Sequence, residues 1–167
     1  MASVKAVKCV VLLLVGWTCG LEAQLLPTNS WRTTNFSYSA GSLRGGIKIE
    51  WDGKVLRYRR DGWMGASPNT NRIVTPTPAQ WKAFWAVVDD VQLWKWQPRY
   101  TNPNISDGGY WKFEAERGAN RVSTYGRNSY PADADPAKPS EDSFPTQRFR
   151  KFYSALEKLL GFDLWPE

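Results

Sequence analysis

The chain has 167 residues, of which 22 are Lys or Arg and 16 are Asp or Glu, and it contains no histidine. It therefore lacks the usual general base at neutral pH, the usual activator of a nucleophile and the commonest metal ligand. No G-x-S-x-G, HExxH or phosphate-loop pattern occurs either, which argues against the enzyme classes that depend on those motifs. We expect no cofactor and no metal ion.

Residues 1–23 predict a signal peptide. Lys5 and Lys8 precede an apolar run over residues 10–15, and Ala23 supplies a small residue at the cleavage position. The apolar run is far shorter than the roughly 20 residues that a membrane-spanning helix requires. We therefore predict a secreted or periplasmic protein that has no membrane span after cleavage.

Both cysteines, Cys9 and Cys19, lie within this predicted signal. The mature domain would then form no disulfide and no thiolate metal site, so its stability must come from a hydrophobic core. It stays basic, but it has no dense run of Lys and Arg, and no nucleic acid partner is expected. Residues 24–35 predict an extended leader, and residues 36–167 predict a single domain.

A short strand is predicted at residues 36–39, followed by a hairpin over residues 47–59. Asp52-Gly53 is a favoured pair for a two-residue turn between two alternating runs. Counting outward from this turn gives two pairs on the core face, Ile49 with Leu56 and Ile47 with Tyr58. Four charged residues then share the solvent face, namely Lys48, Glu50, Arg57 and Arg59.

A helix over residues 78–90 is the element around which we expect the domain to form. Thr77 caps its free amide groups, Pro78 suits its first position and Gln80 completes a capping box. Four apolar residues recur at helical spacing on one face: Trp81, Phe84, Trp85 and Val88. Such a wide aromatic face predicts a sheet beneath the helix, with Trp85 buried.

A second hairpin is predicted over residues 111–125, with its turn at residues 118–120. Its core face consists of Trp111, Phe113 and Ala115. A closing helix is predicted over about residues 145–160, with Lys158 in its last turn and Gly161 beyond it. The apolar side of this helix carries Phe149, Phe152, Tyr153, Leu156, Leu159 and Leu160.

The remaining segments give weaker patterns. Residues 61–77 and 99–109 predict loops, and the alternation over residues 91–96 predicts either a strand or, as we favour, an extended return across the sheet. The Gly45-Gly46 pair indicates either close approach of a ligand or another backbone, or, more commonly, a bulge or turn between strands. Residues 132–143 are rich in Pro, Asp, Ala and Ser, and they predict a mobile stretch.

Together these elements predict an α+β fold. Its antiparallel sheet would consist of two hairpins, with both amphipathic helices packed on one face. Each hairpin precedes a helix with similar aromatic spacing, which indicates a duplicated hairpin-helix unit. Since any two amphipathic helices share that spacing, chance similarity is the alternative.

The segment after the second hairpin reads Gly126-Arg127-Asn128-Ser129-Tyr130-Pro131. Together with the helices around Trp81 and Phe149, this G-x-N-x-Y-P segment resembles an uncharacterised family of small secreted bacterial α+β proteins. The resemblance implies an extracytoplasmic α+β domain and assigns no catalytic residue. In physical terms Gly126 suits a left-handed backbone, whereas Arg127, Asn128 and Tyr130 either pin the loop, which the pattern favours, or contact a ligand.

The leading functional hypothesis is a secreted noncatalytic binding or inhibitory domain whose partner is an extracytoplasmic protein or polysaccharide. Lys48, Arg57 and Arg59 beside Trp63 combine positive charge with an aromatic anchor on the outer sheet face, a combination enriched in interface hot spots. The sequence does not define the oligomeric state.

Two alternatives follow from other residues. A carboxylate-dependent polysaccharide hydrolase would take its acid and base from Asp89, Asp90, Asp107, Glu114 and Glu116. A carbohydrate-binding module would instead stack sugars on exposed tryptophans, and the ones not assigned to the core are Trp31, Trp63, Trp94, Trp96 and Trp165.

Overall fold

The computed structural model describes residues 32–42, 45–62 and 69–164. The predicted signal peptide and most of the predicted leader lie outside these residues, as do Trp31, Trp63 and Trp165. The described elements in chain order are β1 Thr33–Ser42, β2 Gly45–Trp51, β3 Leu56–Gly62, β4 Thr70–Val74, α1 Pro78–Asp90, β5 Arg99–Thr101, β6 Tyr110–Arg117, β7 Asn120–Arg127 and α2 Gln147–Leu160. The predicted α+β class is confirmed. Strand β1 begins at Thr33, within the segment predicted as leader.

The strands form one mixed sheet in the order β4-β3-β2-β1-β6-β7-β5. Neighbouring strands are antiparallel except for β5, which pairs in parallel with β7. The sheet is therefore wider than predicted, because β4 and β5 come from segments that we expected to be loops. Strand β5 has only three residues and β4 buries none of its side chains, so neither gives an alternating apolar pattern. The hairpin-helix duplication stays a prediction.

The turn between β2 and β3 is longer than predicted. Trp51 pairs with Leu56 and Ile49 with Tyr58, which leaves a four-residue turn. Asp52 favours this turn because its Oδ1 accepts hydrogen bonds from the backbone N–H groups of Lys54 and Val55, at 3.0 and 2.9 Å. The predicted pairs were wrong by two residues. Since two residues are one full side-chain period, Ile47, Ile49, Leu56 and Tyr58 are nevertheless all buried.

Helix α1 buries the aromatic face that its sequence predicts. The capping box between Thr77 and Gln80 is present, and the buried side chains are Trp81, Phe84, Trp85 and Val88. Phe36 of the central strand β1 lies beneath this face. Its ring centroid is 5.4 to 6.4 Å from those of Trp81, Phe84, Trp85 and Phe113. The core of the domain is therefore an aromatic layer between β1 and α1.

Trp85 also belongs to a stack of three indoles. Its ring lies nearly parallel to those of Trp81 and Trp94, with centroids 5.9 and 5.8 Å away. The Arg117 guanidinium carbon is 5.2 Å from the centroids of both Trp85 and Trp94. Asp89 completes the group, because its Oδ1 accepts from Trp94 Nε1 at 2.8 Å and from Arg117 Nη2 at 2.6 Å. This group connects the end of α1 to β6.

The predicted extended return over residues 91–96 is wrong. Gln92 has a left-handed backbone, with φ of 52°, and a short 3₁₀ helix follows at Leu93–Lys95. Leu93 and Trp96 are buried on one side, at the three-residue spacing of a 3₁₀ helix. Over only six residues this spacing was mistaken for the alternation of a strand.

Helix α2 covers the same sheet face as α1. The Phe152 ring lies 5.9 Å from that of Tyr38 on β1 and 5.0 Å from that of Phe113 on β6. Thr146 caps the helix and Gly161 ends it with φ of 79°. The buried residues of α2 are Phe149, Phe152, Ala155, Leu156, Leu159 and Leu160, and Tyr153 is half-buried. The apolar side predicted for this helix is confirmed.

We predict that Trp85→Ala lowers the free energy of unfolding by about 3 to 5 kcal/mol, the usual range for emptying a large aromatic site. Trp85 is 2% exposed. Lys82→Ala is the control on the exposed side of the same helix and should change the unfolding free energy by less than about 0.5 kcal/mol. Denaturant unfolding of both variants measures the difference, and equal midpoints would contradict the assigned core.

Candidate functional site

The basic residues predicted as a binding surface do lie on the outer face of the sheet, opposite the helices. Each is paired with a carboxylate: Lys48 with Glu50 at 2.8 Å, Arg57 with Asp52 at 2.7 Å and Arg59 with Asp61 at 3.5 Å. The pairs are exposed, and solvent screening makes each of them weak. Trp63, the predicted aromatic anchor, lies outside the described residues. The positive charge of this surface is therefore locally balanced.

The carboxylates considered for a hydrolase lie on different surfaces. Asp89 and Asp90 are at the end of α1, whereas Glu114 and Glu116 belong to the outer face of β6 and Asp107 to an exposed loop. A hydrogen bond from Lys112 lowers the pKa of Glu114, the opposite of the change that a general acid requires. Among the described residues no group of three or more potential metal ligands is placed to bind an ion.

The tryptophans that the structure describes offer no exposed stacking platform. Trp96 is buried, and Trp94 is half-buried with its ring stacked against Trp85. The large apolar side chains that are exposed in the described chain are Ile73, Tyr110 and Phe144. A sugar site on an exposed tryptophan would therefore depend on Trp31, Trp63 or Trp165, which lie outside the described residues.

A cavity of about 470 Å³ lies on the helix side of the sheet, between α2 and the adjoining ends of β1 and β6. Its volume falls within the range of about 300–1,000 Å³ that is typical of small-molecule sites. We call it the tyrosine pocket because most of its aromatic lining is tyrosine. These aromatic residues are Tyr38, Tyr110, Trp111, Tyr130, Phe149 and Tyr153.

The aromatic lining, apart from the exposed Tyr110, is fixed by contacts between its own rings. Tyr130 lies nearly parallel to Trp111, at 6.2 Å and 14°, and packs edge-on against Phe149 at 4.7 Å. The Trp111 indole N–H donates to the carbonyl of Ser129 at 3.0 Å, so its polar atom is satisfied within the protein. The rings are therefore already in place to contact an apolar group without rearrangement.

Residues 126–131, which begin within β7, contribute Tyr130 to the pocket lining. A Cβ at Gly126 would lie 2.1 Å from Trp111 Nε1, so close approach of the indole, and not the predicted left-handed backbone, requires glycine there. Asn128 is the residue with the left-handed backbone, and its φ is 50°. Its Nδ2 donates to the carbonyls of Ile105 and Asp107, both at 3.3 Å. The 126–131 segment and the 105–109 loop are thus tied together.

The three residues singled out in this segment have different positions. Asn128 is buried, and Arg127 donates through Nη2 to the carbonyl of Ser106 at 3.0 Å, so both contact the neighbouring loop. Tyr130 instead lines the tyrosine pocket. Its carbonyl accepts from the backbone N–H of Ser140 at 2.7 Å, which joins it to the 132–143 stretch.

The glycines beside the pocket accommodate groups of the chain itself. Gly41 and Gly46 are paired residues of β1 and β2, and Gly45 pairs with Ser42 at the ends of the same strands, with φ of 123°. A Cβ at Gly41 would lie 2.9 Å from the Gly45 carbonyl oxygen and 3.1 Å from the Tyr110 hydroxyl. Tyr110 thus extends towards the glycine pair from the adjacent strand β6.

Two charged residues of α2 line the pocket, seven positions apart. Arg150 donates through Nε to the carbonyl of Pro145 at 2.9 Å, and Glu157 accepts through Oε1 from the backbone N–H of Leu164 at 3.1 Å. Burial raises the pKa of the Tyr38 and Tyr153 hydroxyls, so both remain protonated at neutral pH. The pocket is thus an apolar, aromatic space with one positive and one negative side chain.

Sequence reasoning placed Tyr130 among the site candidates but missed the rest of this pocket. Trp111, Phe149 and Tyr153 were assigned to the core, and Arg150 carried no local signal. The helical spacing of Phe149 and Tyr153 is the same for a core face and for a pocket wall. No protein-family model and no curated protein matches the chain. In the described part of the chain, no helix is both long enough and apolar enough to cross a membrane.

We predict that Gly126→Ala lowers the free energy of unfolding by about 1 to 3 kcal/mol, because the added carbon overpacks the Trp111 indole. Gly109→Ala is the matched control in the neighbouring loop. Its nearest contact, the Gly41 carbonyl oxygen, would be 3.5 Å away, which is an ordinary distance. Denaturant unfolding compares the two variants, and a tolerated Gly126→Ala would refute the close packing described above.

Proposed function

We propose that this protein is a noncatalytic extracytoplasmic binding domain, and that its ligand enters the tyrosine pocket. The observation that carries the proposal is an aromatic cavity of about 470 Å³ whose rings are fixed by mutual packing. The extracytoplasmic location rests on the signal pattern of residues 1–23. An inhibitory role is compatible with the same site, if the bound group belongs to another molecule's active region.

The chemistry of the pocket favours binding over catalysis. Glu157 is the one carboxylate among the described residues that line it, and one of its oxygens accepts from Leu164. A glycosidase mechanism needs two carboxylates across the substrate, and the lining of this pocket does not supply the second. The rings and the few polar groups around them instead suit an apolar body with a small polar part.

The neutral dye N-phenyl-1-naphthylamine tests this proposal, because its fluorescence increases in apolar surroundings. The wild-type protein should bind it saturably at one site. Ser154→Phe places a ring beside the pocket from an exposed position of α2 and should abolish saturable binding. A fluorescence titration measures the effect, with circular dichroism confirming that the variant folds.

Ser154 also borders the groove between α1 and α2, so a second variant separates the two cavities. Ala83→Phe places the same ring in that groove but does not touch the tyrosine pocket. It should bind the dye as the wild type does. Loss of binding in both variants would place the dye in the groove, and a wild type that binds no dye would refute the proposed function.

A second candidate uses the outer sheet face to bind an extracytoplasmic protein or polysaccharide. Ile73 of β4 favours it, because this side chain is 66% exposed and pairs across the strands with Arg57. An apolar side chain next to an arginine is a common element of interface hot spots.

We predict that combining Arg57→Ala with Arg59→Ala abolishes capture of any specific partner from an extracellular extract, while the protein stays folded. Both side chains are exposed on β3, and their ion pairs contribute little to stability. Arg121→Ala is the control, since β7 lies near the opposite edge of the sheet from β3. Unchanged capture by the double variant would remove the β3 region from consideration.

A further inference from the structure

We propose that the ligand of the tyrosine pocket is a small amphipathic organic anion, with its apolar body among the aromatic rings and its anionic group on Arg150. This inference rests on the proposed function and specifies the chemical class of the ligand. A carboxylate on an aromatic or short aliphatic body is the simplest member of that class. The argument depends on the state of Arg150, on the neighbouring charges and on the position of Glu157.

Arg150 is held in place but keeps donors for another group. Its Nε donates to the carbonyl of Pro145 at 2.9 Å, and this hydrogen bond holds the guanidinium group beside the pocket. Among the described residues no carboxylate lies within ion-pair distance of Arg150. A guanidinium whose two terminal nitrogens remain available presents the fork geometry that binds a carboxylate in a bidentate manner.

Several basic residues near Arg150 have partners, and Lys158, which has none among the described residues, lies on the same helix but outside the tyrosine pocket. Lys151 pairs with Asp90 at 3.5 Å, and Arg117 pairs with Asp89 at 2.6 Å. Arg148 donates to backbone carbonyls, among them that of Val91 at 2.8 Å. Arg150 differs from these residues because it combines a position on the pocket wall with an unpaired charge.

Four acidic residues border the other side of Arg150, namely Asp133, Asp135, Glu141 and Asp142, and none of them forms an ion pair with it. The first two are engaged by other groups. Asp133 accepts from the backbone N–H groups of Gln147 and Arg148, at 3.0 and 2.6 Å. Asp135 accepts from the backbone N–H of Ala137 at 3.0 Å and lies 3.8 Å from the ammonium group of Lys138. These carboxylates cap local backbone, so Arg150 is left without them as partners.

Glu157 makes the two ends of the pocket different in charge, with Arg150 at one end and Glu157 at the other. It lies seven residues after Arg150 on α2, a separation of about 10 Å along the helix axis. Its carboxylate disfavours a second anion at that end, and the protonated hydroxyl groups of Tyr38 and Tyr153 carry no charge between the two. A ligand with one anionic end and an apolar body therefore fits only with the anion at Arg150.

Two dyes with the same ring system test the inference: 1-anilinonaphthalene-8-sulfonate, which is anionic, and N-phenyl-1-naphthylamine, which is neutral. The wild-type protein should bind the anionic dye more tightly. Arg150→Gln should raise the Kd of the anionic dye about tenfold, because a charge-assisted hydrogen bond is lost at a partly solvated site. The same variant should leave the Kd of the neutral dye unchanged.

Lys158→Gln is the matched control, because it removes one positive charge from the same helix outside the tyrosine pocket. It should leave both Kd values unchanged, and Arg150→Lys should restore part of the affinity for the anion. If Arg150→Gln weakens both dyes equally, or neither, the anion site is refuted while the pocket stands. If the neutral dye does not bind the wild type at all, the proposed function itself is refuted.

Discussion

The contact between Phe36 and the aromatic face of α1 is the interaction on which the rest of this structure depends. Phe36 lies on β1, the strand that pairs with β2 on one side and β6 on the other. Its ring meets two indoles and a phenylalanine of α1, and also Phe113 of the neighbouring strand. Edge-to-face packing of this kind adds about 0.5–1.5 kcal/mol for each pair beyond the area that it buries.

The tyrosine pocket lies where the inward side chains of β1 become small. The inward side chains of β1 are Phe36, Tyr38 and Ala40, so the volume that the strand contributes falls sharply at Ala40. Trp111 is paired with Ala40 across the strands, and the space beside them is not filled by α2. A cavity therefore opens where the aromatic layer is interrupted. Three of the lining rings, those of Tyr38, Trp111 and Phe149, also belong to the core.

The two faces of the sheet use charge differently. On the outer face the ion pairs join residues that are near in sequence, as in Lys48 with Glu50 and Lys112 with Glu114. Such exposed pairs cancel the local charge and contribute little to stability. On the helix side Arg150 is exposed at the edge of the apolar lining, and it forms no ion pair with a carboxylate of the described residues.

The sequence by itself determined the α+β class, both α-helices and the faces that they bury. Those features depend on neighbours within a few residues, as with the capping box at Thr77 and the spacing of Trp81 and Trp85. The hairpin faces could also be predicted, although the turn length could not, because the Asp52 carboxylate competes with the favoured two-residue turn. The 3₁₀ helix and the short edge strands escaped prediction because they contain too few residues to establish a period.

Only the tertiary structure decided where the tyrosine pocket lies. The sequence predicts core positions for Phe149, Tyr153 and Trp111. The local sequence pattern is the same whether an aromatic ring packs against another ring or lines a cavity. Gly126 read as a left-handed turn residue, whereas its role is to admit an indole from the adjacent strand. Arg150 became a candidate only when the partners of its neighbours were known. Each of these properties depends on groups that are distant in sequence, and local patterns carry no information about such distances.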